Sequence, residues 1–166
     1  MLLWYVVVLQ SGIVIETNQG VCMNKYIQHS NESSVLCNGI EIAYDTFGEQ
    51  TSPPVLLIMG LASQMILWEE EFCSLLATKG FRVIRFDNRD IGHSTRLDSM
   101  GIPDIPALFA GKDVPVPYLL RDMVIDTIGL LDALHIDSAH IVGASMGGMI
   151  AQELAIHYPQ RMRSLT

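Results

Sequence analysis

The sequence predicts an α/β chain built around a mostly parallel sheet, and three observations predict it. From Val35 onward, short apolar runs alternate with longer segments of helical period, the signature of βαβ units. One strand-to-helix junction carries Gly143-x-Ser145-x-Gly147, a spacing suited to a sharp turn. Of 166 residues, 49% are apolar and 17% charged, enough for one sizeable core and too apolar for a disordered chain.

Each element follows from its local pattern. Val35 to Phe47 reads as two short strands around the Asn38-Gly39 turn signal, because this dipeptide accepts the positive φ of a tight hairpin. Val55 to Met59 (VLLIM) follows Pro53-Pro54 and is apolar throughout, as expected for a strand covered on both faces. Trp68, Phe72, Leu75 and Leu76 fall on one helical stripe closed by Gly80, predicting a helix over 68–79 with that stripe inward and Cys73 packed beside it. Val83 to Phe86 is the next strand and delivers Asp87 and Arg89 to its C-terminal end, where open parallel sheets keep their chemistry. A Pro- and Gly-punctuated excursion runs from Leu97 to Pro117 and is expected to overhang that same end. A second helix is predicted over 118–134, its face carried by Leu120, Met123, Val124, Ile128, Leu131 and Leu134. The strand Ala139 to Val142 leads into a third helix over 146–157, ended by Tyr158-Pro159. Arg163 to Thr166 looks like the start of one more strand.

Residues 1–34 are read apart from this pattern, as a leader ahead of a domain over 35–166. Met1 to Leu9 (MLLWYVVVL) is too short to span a bilayer, and the first basic residue, Lys25, lies behind it rather than ahead. A signal peptide, a hydrophobic strand and a non-native or mis-started leader all remain open, with Met23 as an alternative start. No stable membrane span is expected.

Charge and cysteine usage narrow the function classes. Ten basic residues against eighteen acidic ones give a net charge of −8, with no basic run to meet phosphates, so no nucleic-acid partner is expected. Cys22, Cys37 and Cys73 are scattered and form no Cys/His cluster at zinc spacing; no metal site is implied, and a reducing, cytoplasmic compartment fits.

The chemistry concentrates at Ser145. A serine on a sharp strand-to-helix turn needs neighbours without bulk, which Gly143 and Gly147 supply, and Gly148 lets the helix pack closely on the strands. Because Ser145 opens a helix, the Met146 N–H faces a position that favours negative charge, half of an oxyanion hole. The simpler alternative is that Ser145 only caps the third helix.

Taken together these residues resemble the α/β-hydrolase superfamily, over about 35–166. Asp87-Asn88-Arg89-Asp90-Ile91-Gly92-His93-Ser94 is similar to the family's D-x-R-G-x-G-x-S turn, with Asp90 where glycine is common. Met59-Gly60-Leu61 is similar to its H-G-x oxyanion turn, with Met59 in place of His. The resemblance implies the N-terminal portion of a three-layer α/β-hydrolase fold, truncated after the nucleophile helix. It makes Ser145 the nucleophile, the amides of Met146 and Leu61 the oxyanion donors, and Asp87 and Arg89 supports of the turn that satisfy loop amides. Within the superfamily the pattern is most similar to ester hydrolases of the aclacinomycin methylesterase type, which implies a small-molecule carboxylic ester as substrate and no metal or organic cofactor.

In this fold the acid and base follow the nucleophile in chain order, and only 21 residues follow Ser145. His29, His93, His135 and His140 precede it, and His157 lies a whole helix, about 18 Å, away along the axis. The Asp and His of the triad are therefore expected beyond Thr166, this chain alone is expected to be inactive, and the strand before Ser145 is expected to be an unpaired sheet edge. Two other classes stay in view. One is a non-catalytic remnant of the fold acting as an interaction module. The other is a short-chain-dehydrogenase-like nucleotide-binding domain, weakened by Met149 standing where its turn needs a glycine. Oligomeric state is not legible.

Overall fold

The computed structural model describes residues 27–166 and, as backbone only, 5–9 and 12–16. The rest of the leader, with Cys22 and the alternative start at Met23, lies outside the described residues. Strands β1 (Tyr5–Leu9) and β2 (Gly12–Glu16) form an antiparallel pair, so the backbone of 5–9 is extended. The main sheet begins with the hairpin of β3 (Ser33–Cys37) and β4 (Ile40–Phe47) around Asn38 and Gly39, both at positive φ. The packed body reaches back ahead of the 34/35 boundary. Ile27 packs against the core, and Ser30 exchanges hydrogen bonds with Thr46, N–H to carbonyl and hydroxyl from N–H, each at 2.9 Å.

After β5 (Pro54–Ile58), helix α1 (Glu70–Thr78) returns the chain to β6 (Arg82–Phe86). A short helix α2 (Ile105–Phe109) sits in the excursion, started by Asp104, whose carboxylate accepts from the Ala107 N–H. Helix α3 (Leu120–Ala133) leads to β7 (Ala139–Gly143), then α4 (Met146–His157) and β8 (Met162–Leu165). The six strands lie in the order β3-β4-β6-β5-β7-β8, with β3, β4 and β6 paired antiparallel and β6, β5, β7 and β8 parallel.

Alternation along the strands makes three layers. Leu56, Ile58, Ile84, Phe86 and Ile141 meet α3 and α4 on one face, through Met123, Val124, Leu131, Ile150 and Leu154. Val55, Leu57, Val83 and Phe47 meet α1 on the other. Each residue of β5 is buried, which is why its sequence is apolar without interruption.

Two expectations are corrected. The strand before Ser145 is not an edge: β7 pairs with β5 on one side and β8 on the other, so the fold continues one strand past α4, and the exposed edge belongs to Arg163, Ser164 and Leu165. The predicted stripe of α1 is also rotated. Cys73, Ser74 and Ala77 are buried, while Phe72 and Leu75 are exposed. Small side chains let this helix approach the sheet closely, and Cys73 joins the buried cluster that holds Val55 and Val83.

Candidate functional site

The site forms where the connections diverge. From β5 the chain crosses to β6 on one side, and β7 lies on the other, so the carboxyl ends of β5 and β7 flank a topological switch point. Ile58 and Gly143 are register partners, and the Ala144 N–H donates to the Ile58 carbonyl at 3.0 Å. This bond sets Gly60 and Ser145 side by side. A Cβ on Gly60 would lie 3.2 Å from the Ser145 Cβ and 3.7 Å from its Oγ.

Ser145 has φ 53° and ψ −118°, a conformation that costs an L-residue free energy and persists only where its surroundings enforce it. The enforcing contacts are made by glycines. A Cβ on Gly143 would stand 2.4 Å from the Gly147 carbonyl oxygen, and one on Gly147 would stand 2.1 Å from that of Ile58. Gly148 is less crowded, with the Gly143 carbonyl oxygen at 3.4 Å. The turn closes through the N–H of Gly147 on the Ala144 carbonyl and that of Gly148 on the Ser145 carbonyl.

Ser145 stands at the N-cap position of α4, yet its side chain makes no capping hydrogen bond and is exposed. A capping role does not account for this hydroxyl. Among the described residues, neither the Met146 nor the Leu61 N–H donates a hydrogen bond. Two unengaged amides thus follow directly on Ser145 and on its neighbour Gly60.

Buried polar groups hold the two loops. Asp87 accepts from the Met65 N–H at 2.7 Å and the His93 N–H at 3.0 Å, one bond to each carboxylate oxygen, so it satisfies loop amides. Gly92 permits this, since a Cβ there would lie 1.9 Å from that carboxylate. Asn88 is buried and donates to the Met59 carbonyl at 3.0 Å, tying the turn after β6 to the turn after β5. Asp90, at φ 66°, occupies the left-handed region that explains why glycine suits this position; its carboxylate accepts from the Leu97 N–H.

Arg89 departs from the expectation that it serves loop amides. Its guanidinium makes a two-pronged pair with Asp126 of α3, Nε to Oδ2 at 2.6 Å and Nη2 to Oδ1 at 2.7 Å. Asn38 adds an amide to the same carboxylate at 2.8 Å, and Tyr118 lies under the guanidinium. Burial works against the Arg89 charge, but the hydrogen bonds and attraction of Asp126 outweigh it and raise the pKa above its ordinary value. No motif marks Asp126; its signal is an acid inside the buried stripe of α3, between Val124 and Thr127, where only a cation or several donors make it tolerable.

The histidines lie elsewhere. His29 is on Asp45 at 3.0 Å, His93 on Glu32, His140 on Ser164 at 2.8 Å, and His157 on Glu153 at 3.2 Å. None hydrogen-bonds to Ser145. Among the described residues there is no cluster of side chains able to hold a metal, and no helix long and apolar enough to cross a membrane.

Comparison with known proteins agrees with this architecture. Residues 53–166 match the family described as the alpha/beta hydrolase fold. A rhodomycin D methylesterase from a Streptomyces species is 37% identical over 119 residues, covering 72% of this chain and 35% of that protein. One from Streptomyces peucetius is 35% identical with the same coverage. Among solved structures, a hydrolase from Pseudomonas aeruginosa superposes with a TM-score of 0.66 at 31% identity, over 82% of this chain and 44% of that one. The enol-lactonase from Burkholderia xenovorans does so with 0.65 at 29%, over 80% and 45%. The chain spans 35% of the length of the two methylesterases it matches. With a glycine-flanked strand-to-helix turn at the switch point of a six-stranded, mostly parallel sheet, this chain belongs to the α/β-hydrolase fold family.

Proposed function

We propose that this chain carries the nucleophile half of a serine hydrolase that cleaves small-molecule carboxylic esters. The observation that carries the reading is Ser145 itself, an exposed hydroxyl at φ 53° with no capping bond to make, set against Gly60. In the proposed reaction the Ser145 oxygen attacks the ester carbonyl carbon while its proton passes to a histidine. The amides of Met146 and Leu61 receive the charge that develops on the carbonyl oxygen. The alcohol departs with the proton, leaving an acyl group on Ser145, and water releases it by the same route in reverse. Gly143, Gly147, Gly148 and Gly60 permit the turn, while Asp87 and Arg89 brace the loops behind it.

The base and its orienting acid belong, in this proposal, to sequence outside the chain, and 1–166 alone is inert. Three of the four named relatives support the ester class: two are methylesterases and one is an enol-lactonase. The cytoplasmic location is part of the same proposal, supported by Cys37 and Cys73 standing free and buried on opposite faces of the sheet.

The test is covalent labelling by a fluorophosphonate, read by intact mass and peptide mapping, on the protein carried through to the downstream Asp and His. One adduct on Ser145, abolished in Ser145→Ala, is the expected result. Labelling that survives the substitution, or that maps to another residue, overturns the assignment.

A further inference from the structure

The opposite end of the sheet presents a second concave feature. Here β5, β6, β7 and β8 begin, and the loops entering them border an open cleft of about 280 Å3. Its walls include Thr51, Ser52, Arg82, Asp137, Ser138 and Arg163. The two arginines set it apart. Arg85 and Arg89 each face a carboxylate at 2.6 to 2.8 Å, whereas neither Arg82 nor Arg163 forms an ion pair among the described residues.

Arg82 is half-buried on the second strand of the parallel set, and burial holds its pKa below the ordinary value with no carboxylate to reverse the shift. Arg163 donates through Nε to the Ser138 hydroxyl at 3.2 Å, which steadies its stem while leaving the two terminal nitrogens to reach elsewhere. His135 also lines the cleft. The single acid on the wall is Asp137, exposed to solvent. In a chain of net charge −8, two guanidinium groups against one carboxylate around this hollow are a local reversal of sign.

We infer that this cleft binds a small phosphate-type oxyanion. The donors decide between anion classes. Two guanidinium forks and the hydroxyls of Thr51, Ser52 and Ser138 offer more hydrogen bonds than the two oxygens of a carboxylate accept, and they match a group with three or four oxygens. The site lies at the opposite end of the strands from Ser145 and is independent of the ester-cleaving proposal.

Titration of this chain with inorganic phosphate at constant ionic strength, followed by calorimetry and by 31P line broadening, tests it. Saturable binding is expected, weakened about tenfold in Arg82→Gln and in Arg163→Gln, as loss of one charge-assisted contact implies. Asp137→Asn is expected to tighten it about two- to fivefold by removing the opposing charge. Arg96→Gln, the same charge change at an exposed arginine paired with Asp98, is expected to leave it unchanged. Acetate in place of phosphate is expected to bind more weakly. Absence of saturation up to about 10 mM phosphate, or equal losses in Arg82→Gln, Arg163→Gln and Arg96→Gln, overturns the proposal. If Arg82→Gln fails to fold, Arg163→Gln on the exposed strand decides.

Discussion

The side-chain amide of Asn88 donates to the main-chain carbonyl of Met59 at 3.0 Å, joining residues 29 positions apart, and both are buried. The bond fixes the peptide that leads into Gly60 and Leu61 from behind, while Ala144 fixes the preceding carbonyl of Ile58 from the side of Ser145. The two loops of the site thus share one hydrogen-bonded seam.

Breaking that seam has a measurable cost. In Asn88→Ala the Met59 carbonyl loses its donor in a water-poor setting, which costs about 1–3 kcal/mol. Urea unfolding of the variant should show a lower midpoint with an unchanged slope. An unchanged midpoint means that water replaces the amide and that Asn88 is not what holds the turn.

The turn at Ser145 makes a paired prediction. Ser145→Gly relaxes a conformation that costs about 1–3 kcal/mol for a residue with a Cβ, whereas Ser145→Ala removes the hydroxyl and keeps the strain. Glycine should therefore be the more stable of the two by about 1 kcal/mol, after its greater unfolded-state freedom is subtracted. Gly147→Ala should be damaging, by about 3 kcal/mol, because its new Cβ meets the Ile58 carbonyl oxygen at 2.1 Å and neither backbone can yield. Thermal melts of the three variants settle the order, and a stable Gly147→Ala protein contradicts the geometry of the turn.

The buried Arg89–Asp126 pair should behave as a unit. Asp126→Ala leaves a guanidinium and the Asn38 amide without their acceptor, and removal of one member of such a pair costs about 3–5 kcal/mol. Arg89→Met combined with Asp126→Leu removes both charges and should recover a large part of that loss. A double-mutant cycle showing simple additivity would place the stabilisation somewhere other than the pair.

These contacts show which parts of the molecule its sequence discloses. The elbow is legible because its constraint is local: Gly143 and Gly147 are demanded by atoms within five residues and by one neighbouring strand. Asp90 is legible as an exception, since its φ of 66° is where a glycine is usual and an aspartate is tolerated. The inward face of α1 is not legible, because hydrophobicity favours Phe72 and Leu75 while the sheet accepts the smaller Cys73 and Ala77. The edge of the sheet is legible only in part: Arg163 to Thr166 reads as the start of a strand, but nothing in four residues says that this strand pairs with β7. Arg89 finds Asp126 and Asn88 finds Met59 across distances that no spacing rule spans.

The thiols supply a pH prediction whose direction follows from burial. Burial is the main cause that pushes Cys37 from 9.0 up to about 11, with Asp126 and Glu41 adding to it. Burial likewise pushes Cys73 up to about 11, with Arg85 opposing in part. In the unfolded chain both thiols ionise near 9, so above that pH the unfolded state sheds protons that the folded state retains. The contribution of these thiols is therefore intact below about pH 9 and declines as pH rises toward 11. Unfolding of Cys22→Ser, in which only these two thiols remain, should show stability falling over that interval, with a weaker fall when Cys37→Ala or Cys73→Ala is added. In the same background, iodoacetamide at pH 8 should alkylate neither thiol until denaturant is added, because the reactive species is the thiolate. Prompt alkylation of native Cys73 would instead show that α1 opens from the sheet, since that residue is fully buried in the cluster between them.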